Sequence, residues 1–222
     1  MLSAAILKQV KLPVEFQQGP CGLLGPLWQE QFLPPLPLIF IDGGARFKHL
    51  PYLSLAPQDR PYPQYCLGDG DTYPEGYANF ELQLKAEKDL SDFAAALAIL
   101  PPAPRQIYLY GLSGGKRDHE WAVLGEIDAF LSTHPQQQIC DADYTAFAAG
   151  TYHFDFKGRF SLLSLQANQI TLTGQIKYPL MAPTTIAPLS SRGLSNEAHG
   201  PWQICATKPF VIFQQGLARW PR

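Results

Sequence analysis

Between residues 38 and 141 short apolar runs recur, each closed by glycine or aspartate: LIFID ending at Asp42, YCLGD at Asp69, IYLYG at Gly111, and QIC before Asp141. Continuous apolar runs of this length read as strands buried on both faces. Two helical patterns lie between them. The first begins at Asp89 and runs through DFAAALAIL until Pro101 and Pro102 stop it. The second starts near Asp118, where Trp121, Leu124, Ile127 and Leu131 recur at three- and four-residue spacing and form an apolar stripe for packing on a sheet. Strands alternating with helices predict a mostly parallel α/β layer.

After Gly150 the texture changes. The segments YHFDF, FSLLSL, QITLTG, QICA and FVIFQQ alternate with Gly, Pro and Asn punctuation, and no helical period intervenes. This pattern predicts a small antiparallel sheet or sandwich. The expected fold is therefore an α/β N-terminal domain with a mostly parallel sheet over 1–147, then a small all-β, sandwich-like domain over 148–222, with the transition between 142 and 152. Prolines and glycines break every period in the first 37 residues, where one strand around Ala4 to Leu12 is expected.

A chain of 222 residues can bury a stable core without disulfide or metal staples. Its formal charge of -2, with 16% charged residues, offers no basic excess for nucleic acid or an anionic bilayer, so any phosphate site must be local. Cys21, Cys66, Cys140 and Cys205 are widely spaced with no CxxC pair, which argues against a zinc cluster or a secreted disulfide framework and fits a cytoplasmic protein. The apolar stretch Leu2 to Leu7, followed by Lys8 and Lys11, makes a poor secretory signal. Phe93 to Leu100, the longest apolar helical run, is far short of the ~20 residues that cross a bilayer.

Four polar clusters follow the expected strands or open the expected helices, the positions at which an open α/β sheet places its ligand crevice. Asp42, Gly43 and Gly44 lie in IDGGARF; Asp69 and Asp71 in LGDGDTY; Lys88, Asp89 and Asp92 in EKDLSD; and Gly114, Gly115, Lys116, Arg117, Asp118 and His119 in GLSGGKRDH. Asp69 and Asp71, two apart at a strand end, can present hard oxygen ligands on one side, a donor set suited to magnesium; Gly-Asp-Gly-Asp is also ordinary turn chemistry. Asp89 and Asp92 can cap a helix or face the crevice. The two glycines and two cations before the second helix favour an anion through backbone amides, helix dipole and side-chain charge. The Walker A spacing GxxxxGK[ST] is absent, and no nucleophilic triad is visible.

In order and spacing these clusters resemble the thiamine pyrophosphokinase family, whose pattern DGGAN, GDxDS, KDxTD, GGRxDH reads here DGGAR, GDGDT, KDLSD, GGKRDH. TLTGQIKYPL and GLSNE resemble that family's thiamine-side strands and SNE turn, so the resemblance spans roughly 38–215. It implies diphosphate transfer from ATP to the thiamine hydroxyl, giving thiamine diphosphate and AMP, in a homodimer that uses Mg2+. By position, Asp42, Asp69, Asp71, Asp89 and Asp92 become the metal- and phosphate-handling set, the first four as metal ligands. Lys88 and the run Gly114 to His119 fall on the nucleotide side, and Ser195 and Asn196 on the thiamine side. Trp202 is either a stacking partner for the heterocycle or a core tryptophan. Arg46 and Lys116 stand where the family has Asn and Arg. Two other readings share these motifs: a diphosphokinase for another heterocyclic alcohol such as a pterin, and a non-catalytic thiamine or nucleotide binder.

Overall fold

The computed structural model describes residues 7, 10–17, 19–29, 33–50, 62–71, 80–85, 87–103 and 105–214. The strand expected around Ala4 to Leu12 falls mostly outside the described residues, and Leu7 and 10–12 belong to no strand. The chain forms two compact units that divide at Glu126/Ile127, earlier than the change of texture at 147/148.

The first unit is built on five parallel strands: β1 (Cys21–Leu24), β2 (Leu38–Ile41), β3 (Gln64–Gly68), β4 (Leu82–Gln83) and β5 (Arg105–Tyr110), in the order β5-β1-β2-β3-β4. All residues of β1 and β2 are buried, which is why their runs carry no alternation. From β1 the chain steps outward through β2, β3 and β4, then returns to pair β5 on the other side of β1. That reversal is the place where such sheets open a crevice at their carboxyl ends.

Helix α1 (Asp92–Ile99) begins later than the sequence pattern indicates. Its N-cap is Ser91, whose hydroxyl accepts the Ala94 N–H at 3.0 Å, so Asp89 is not the cap and lies in the turn before the helix. Phe93, Ala95, Ala96, Leu97 and Ile99 are buried. Helix α2 (Arg117–Thr133) buries Ile127, Phe130 and Leu131, but Trp121 is 56% exposed. The expected apolar stripe therefore holds only for the C-terminal half of α2.

The second unit is antiparallel. Its strands are β6 (Gln137–Cys140), β7 (Tyr144–Phe147), β8 (Gly150–Asp155), β9 (Gly158–Leu163), β10 (Asn168–Ile176), β11 (Leu180–Ile186), β12 (Asn196–Ala206) and β13 (Phe210–Phe213). They run in the order β6-β7-β13-β9-β12-β10-β11, with β8 also on β12. Strand β9 changes partners midway, pairing β12 through Gly158 to Phe160 and β13 through Ser161 to Leu163. A strand that passes from one set of partners to another lets an antiparallel sheet fold over a single core. Phe147, Phe160, Leu162, Ile170, Leu172, Trp202, Ile204, Phe210 and Ile212 fill that core. The register of β10 slips between Gly174 and Ile176, where Gly174 has φ +104° and a Cβ would meet Pro201 O at 2.6 Å.

Candidate active site

The first unit carries a crevice of about 790 Å³, lined at the carboxyl ends of the parallel strands. Pro26 and Leu27 come from the segment after β1, Asp42 from the end of β2, Asp71 from beyond β3, and Gly111 and Leu112 from the end of β5. The start of α1 adds Lys88, Ser91, Asp92 and Phe93; the loop and first turns of α2 add Gly115, Lys116, Asp118, His119 and Glu120. The volume lies within the ~300–1,000 Å³ typical of small-molecule sites.

Close backbone contacts fix the crevice floor. Gly111 adopts φ +63°, and a Cβ there would meet the Trp28 nitrogen at 1.9 Å, so only glycine admits the segment after β1 so near the end of β5. The Leu27 N–H donates to Gly111 O at 3.0 Å. Arg46 secures the same segment from the other side: its Nη2 donates to Pro26 O at 2.6 Å, with the guanidinium 4.5 Å from the Phe47 ring centroid. Arg46 is thus tied to the protein's own backbone and is not among the crevice-lining residues.

Asp42, Asp69 and Asp71 each offer one carboxylate oxygen, and the three oxygens lie within 4.8 Å of one another. This is a hard-oxygen donor set of the kind that holds Mg2+ with waters and substrate phosphates completing the shell, so the residues present fit the cation. Asp42 opens a short 3-10 helix (Asp42–His49) with φ 43°, which turns the chain sharply off β2. Asp69 Oδ1 accepts the Asp71 N–H at 3.3 Å, a turn that holds both aspartates at the end of β3.

Lys88 and Asp92 extend this cluster. The Lys88 ammonium lies 2.5 Å from Asp69 Oδ2 and 3.1 Å from Asp92 Oδ1. Burial works against charge on Asp69, but the bonds from Lys88 and from the Asp71 amide outweigh it and hold that carboxyl below its usual range. At Asp92 burial prevails: only partly offset by Lys88, and reinforced by the charges of Asp69 and Asp42, it pushes the carboxyl up to about 6. Burial also opposes charge on Lys88, yet its two carboxylate partners raise its pKa above the ordinary lysine value. Lys88, expected as a phosphate contact, is committed to Asp69 and Asp92.

Asp89 is exposed, lies outside the trio of converging oxygens and does not line the crevice. In the glycine loop, Gly114 has φ +91° and donates its N–H to Glu120 Oε1 at 2.7 Å. One amide of the expected anion cradle is therefore occupied by the protein's own carboxylate, a contact that joins residues six apart and leaves no sequence signal. Lys116, Asp118 and His119 are exposed crevice residues; Arg117 opens α2 and is exposed without lining the crevice.

Ser195, Asn196 and Trp202 belong to the second unit. Ser195 is exposed with φ 56°, and its N–H donates to Ser161 Oγ at 3.1 Å. Asn196 is buried: its Oδ1 accepts the Tyr178 and Glu197 N–H groups at 3.0 and 2.8 Å, and its Nδ2 donates to Tyr178 O at 3.0 Å. Those bonds place Asn196 as a clamp on the backbone at Tyr178. Trp202 is 3% exposed, stacked between Phe154 and Phe160 at ring distances of 4.3 and 4.5 Å. The indole thus lies in the core of the second unit. The alternation of β12 carries the signal: Asn196, Ala198, Gly200, Trp202, Ile204 and Ala206 share its buried face.

No protein-family model and no curated protein matches the sequence. Solved structures do match the fold. The chain is similar to a thiamine pyrophosphokinase from Bacillus subtilis, at 21% identity and TM-score 0.62, over 90% of this chain and 100% of that one. It is also similar to the thiamin pyrophosphokinase of Candida albicans, at 13% identity and TM-score 0.64, over 90% of each chain. The yeast thiamin pyrophosphokinase aligns at 14% identity and TM-score 0.63, over 93% of this chain and 87% of its own. The resemblance carried by the four motifs thus holds at the level of the fold, and the chain has the fold of the thiamine pyrophosphokinases.

Proposed function

We propose that this protein transfers the terminal diphosphate of ATP to the hydroxyl of thiamine, with a divalent cation at Asp42, Asp69 and Asp71. The observation that carries the reading is the convergence of those three carboxylates, from two motifs, at the carboxyl ends of β2 and β3, where Asp42 and Asp71 line the crevice. The acceptor oxygen bonds to the β-phosphorus as the bond from that phosphorus to the oxygen on the α-phosphorus breaks. AMP leaves with that oxygen. Such transfer depends on in-line placement and charge neutralisation more than on covalent help from the protein. Magnesium held by the three aspartates would neutralise charge on the polyphosphate.

Lys116 supplies a mobile positive charge for the phosphates, and Pro26, Leu27, Leu112, Ala122 and Val123 offer apolar wall for the nucleotide base. Asp92 accepts the hydroxyl proton. Burial raises its carboxyl to about 6, toward the pH at which a general base works best. Asp92 must be ionised to act, so kcat/KM should fall as pH drops below about 6. A pH–rate profile that stays flat from pH 8 to pH 5 would remove Asp92 from this role.

We place the thiamine-binding and dimer-forming functions in the second unit and the protein in the cytoplasm. Among the described residues no helix is long and apolar enough to cross a membrane, and all four cysteines are free thiols. Tyr178 and Met181, 55% and 74% exposed, offer apolar surface for a second copy. Light scattering at micromolar concentration should give about twice the 24.7 kDa chain mass; the mass of one chain would contradict the dimer. Acceptor identity is tested by parallel incubations with ATP, Mg2+ and either thiamine or a hydroxymethylpterin. Turnover is expected with thiamine, and turnover with the pterin alone would reassign the acceptor.

A further inference from the structure

The Lys88 side chain and that of Asp69 are each only 7% exposed, and that of Asp92 is 17% exposed. A buried ammonium is stable only where carboxylates satisfy it, and buried carboxylates in turn need a cation. Here one ammonium serves two of them, from elements far apart in sequence: Asp69 at the end of β3 and Asp92 in the first turn of α1. Asp69 is also a member of the metal-competent trio with Asp42 and Asp71. Four carboxylates therefore lie in or beside the crevice, and Lys88 contributes a positive charge paired with two of them. Without a cation their mutual repulsion would drive the end of β3 and the start of α1 apart.

We infer that Lys88 is a resident counter-cation that holds Asp69 and Asp92 in place before any divalent ion arrives, so that the metal enters a site already formed. The inference rests on the reading of Asp42, Asp69 and Asp71 as the divalent-cation site. It makes Lys88 a positioning residue, acting through two carboxylates and not through the transferred phosphates. Its consequence is that folding of the crevice does not depend on metal in the native chain, and comes to depend on it when the ammonium is removed.

The test is thermal unfolding of the native protein and of Lys88→Met, each in EDTA and in millimolar MgCl2, with no nucleotide present. Methionine keeps an unbranched apolar stem of similar length and deletes the charge. The native Tm should rise in MgCl2 only by what binding to an already formed site contributes, a smaller gain than in the variant. Lys88→Met should lose roughly 6 to 20 °C in EDTA, as expected for removal of one partner from a buried ion cluster, and should regain most of that loss in MgCl2. Should the variant not fold in EDTA, the double variant Asp69→Asn/Lys88→Met removes an opposing charge as well and is expected to recover stability there. A loss that is equal in EDTA and MgCl2, or no loss at all, would overturn the inference. Titration of Mn2+ into both proteins, read by its paramagnetic resonance, separates the two levels. If the native protein binds no Mn2+, the cation-site reading fails and the inference falls with it. If Mn2+ binds yet MgCl2 does not restore the variant, only the role given to Lys88 fails.

Discussion

Asp71→Asn is expected to lower turnover at least tenfold, about 1.4 kcal/mol of barrier, while Asp89→Asn leaves it within about threefold on the same scale. Both side chains are exposed, so neither amide disturbs packing, and the contrast isolates geometry. Asp71 lines the crevice and contributes one of three oxygens within 4.8 Å of one another. Its link to Asp69 runs through its backbone N–H and survives the substitution. An amide oxygen is a weaker ligand for a hard cation than a carboxylate oxygen, so the variant loses cation affinity without losing the turn. Asp89 shares its motif with Asp92 but not its position, because the helix starts after Ser91. Rates of product formation in both purified variants, with circular dichroism as the folding control, decide the matter. Equal losses in the two, or normal activity in Asp71→Asn, would contradict the assignment.

Trp202→Ala is expected to destabilise the protein by about 3–5 kcal/mol, the range for deleting a large aromatic from a core. The indole is stacked between Phe154 and Phe160, with interplanar angles of 18° and 12°, and the Phe156 ring meets it edge-on at 5.6 Å. All four rings lie in or against the core of the second unit. Removing the central one leaves three aromatics without their shared partner, whereas Trp202→Phe, which keeps a flat ring there, should lose much less. Urea unfolding of the three proteins measures this. If Trp202→Ala were as stable as the native chain and instead bound thiamine poorly, the indole would belong to a ligand site and not to the core.

The sequence shows some of these features directly and hides others for physical reasons. β2, β3 and β5 are legible because buried strands need continuous apolar runs; Asp42 and Gly111, which end the β2 and β5 runs, line the crevice, and Asp69, which ends the β3 run, joins the acidic trio beside it. β1 escapes the same reading although it lies between β5 and β2, because it has only four residues between Gly19-Pro20 and Gly25-Pro26. Those pairs mark the ends of a strand as readily as its absence. β11 is hidden by its mostly exposed pattern and by Pro183, features tolerated on the edge strand that it is. Within the site, Asp42, Asp69 and Asp71 follow from strand ends alone. Pairing of Lys88 with Asp69 joins residues 19 apart, and nothing local announces it. Asn196 and Trp202 would have read as buried had the alternation of QICA been followed back along the full length of β12.

If two phosphoryl groups move together, the nucleotide product is AMP and not ADP. Purified protein incubated with ATP, MgCl2 and thiamine, its products separated by anion exchange, should yield thiamine diphosphate and AMP in equal amounts. ADP with thiamine monophosphate, or no ATP consumption at saturating thiamine and MgCl2, would contradict the proposed transfer.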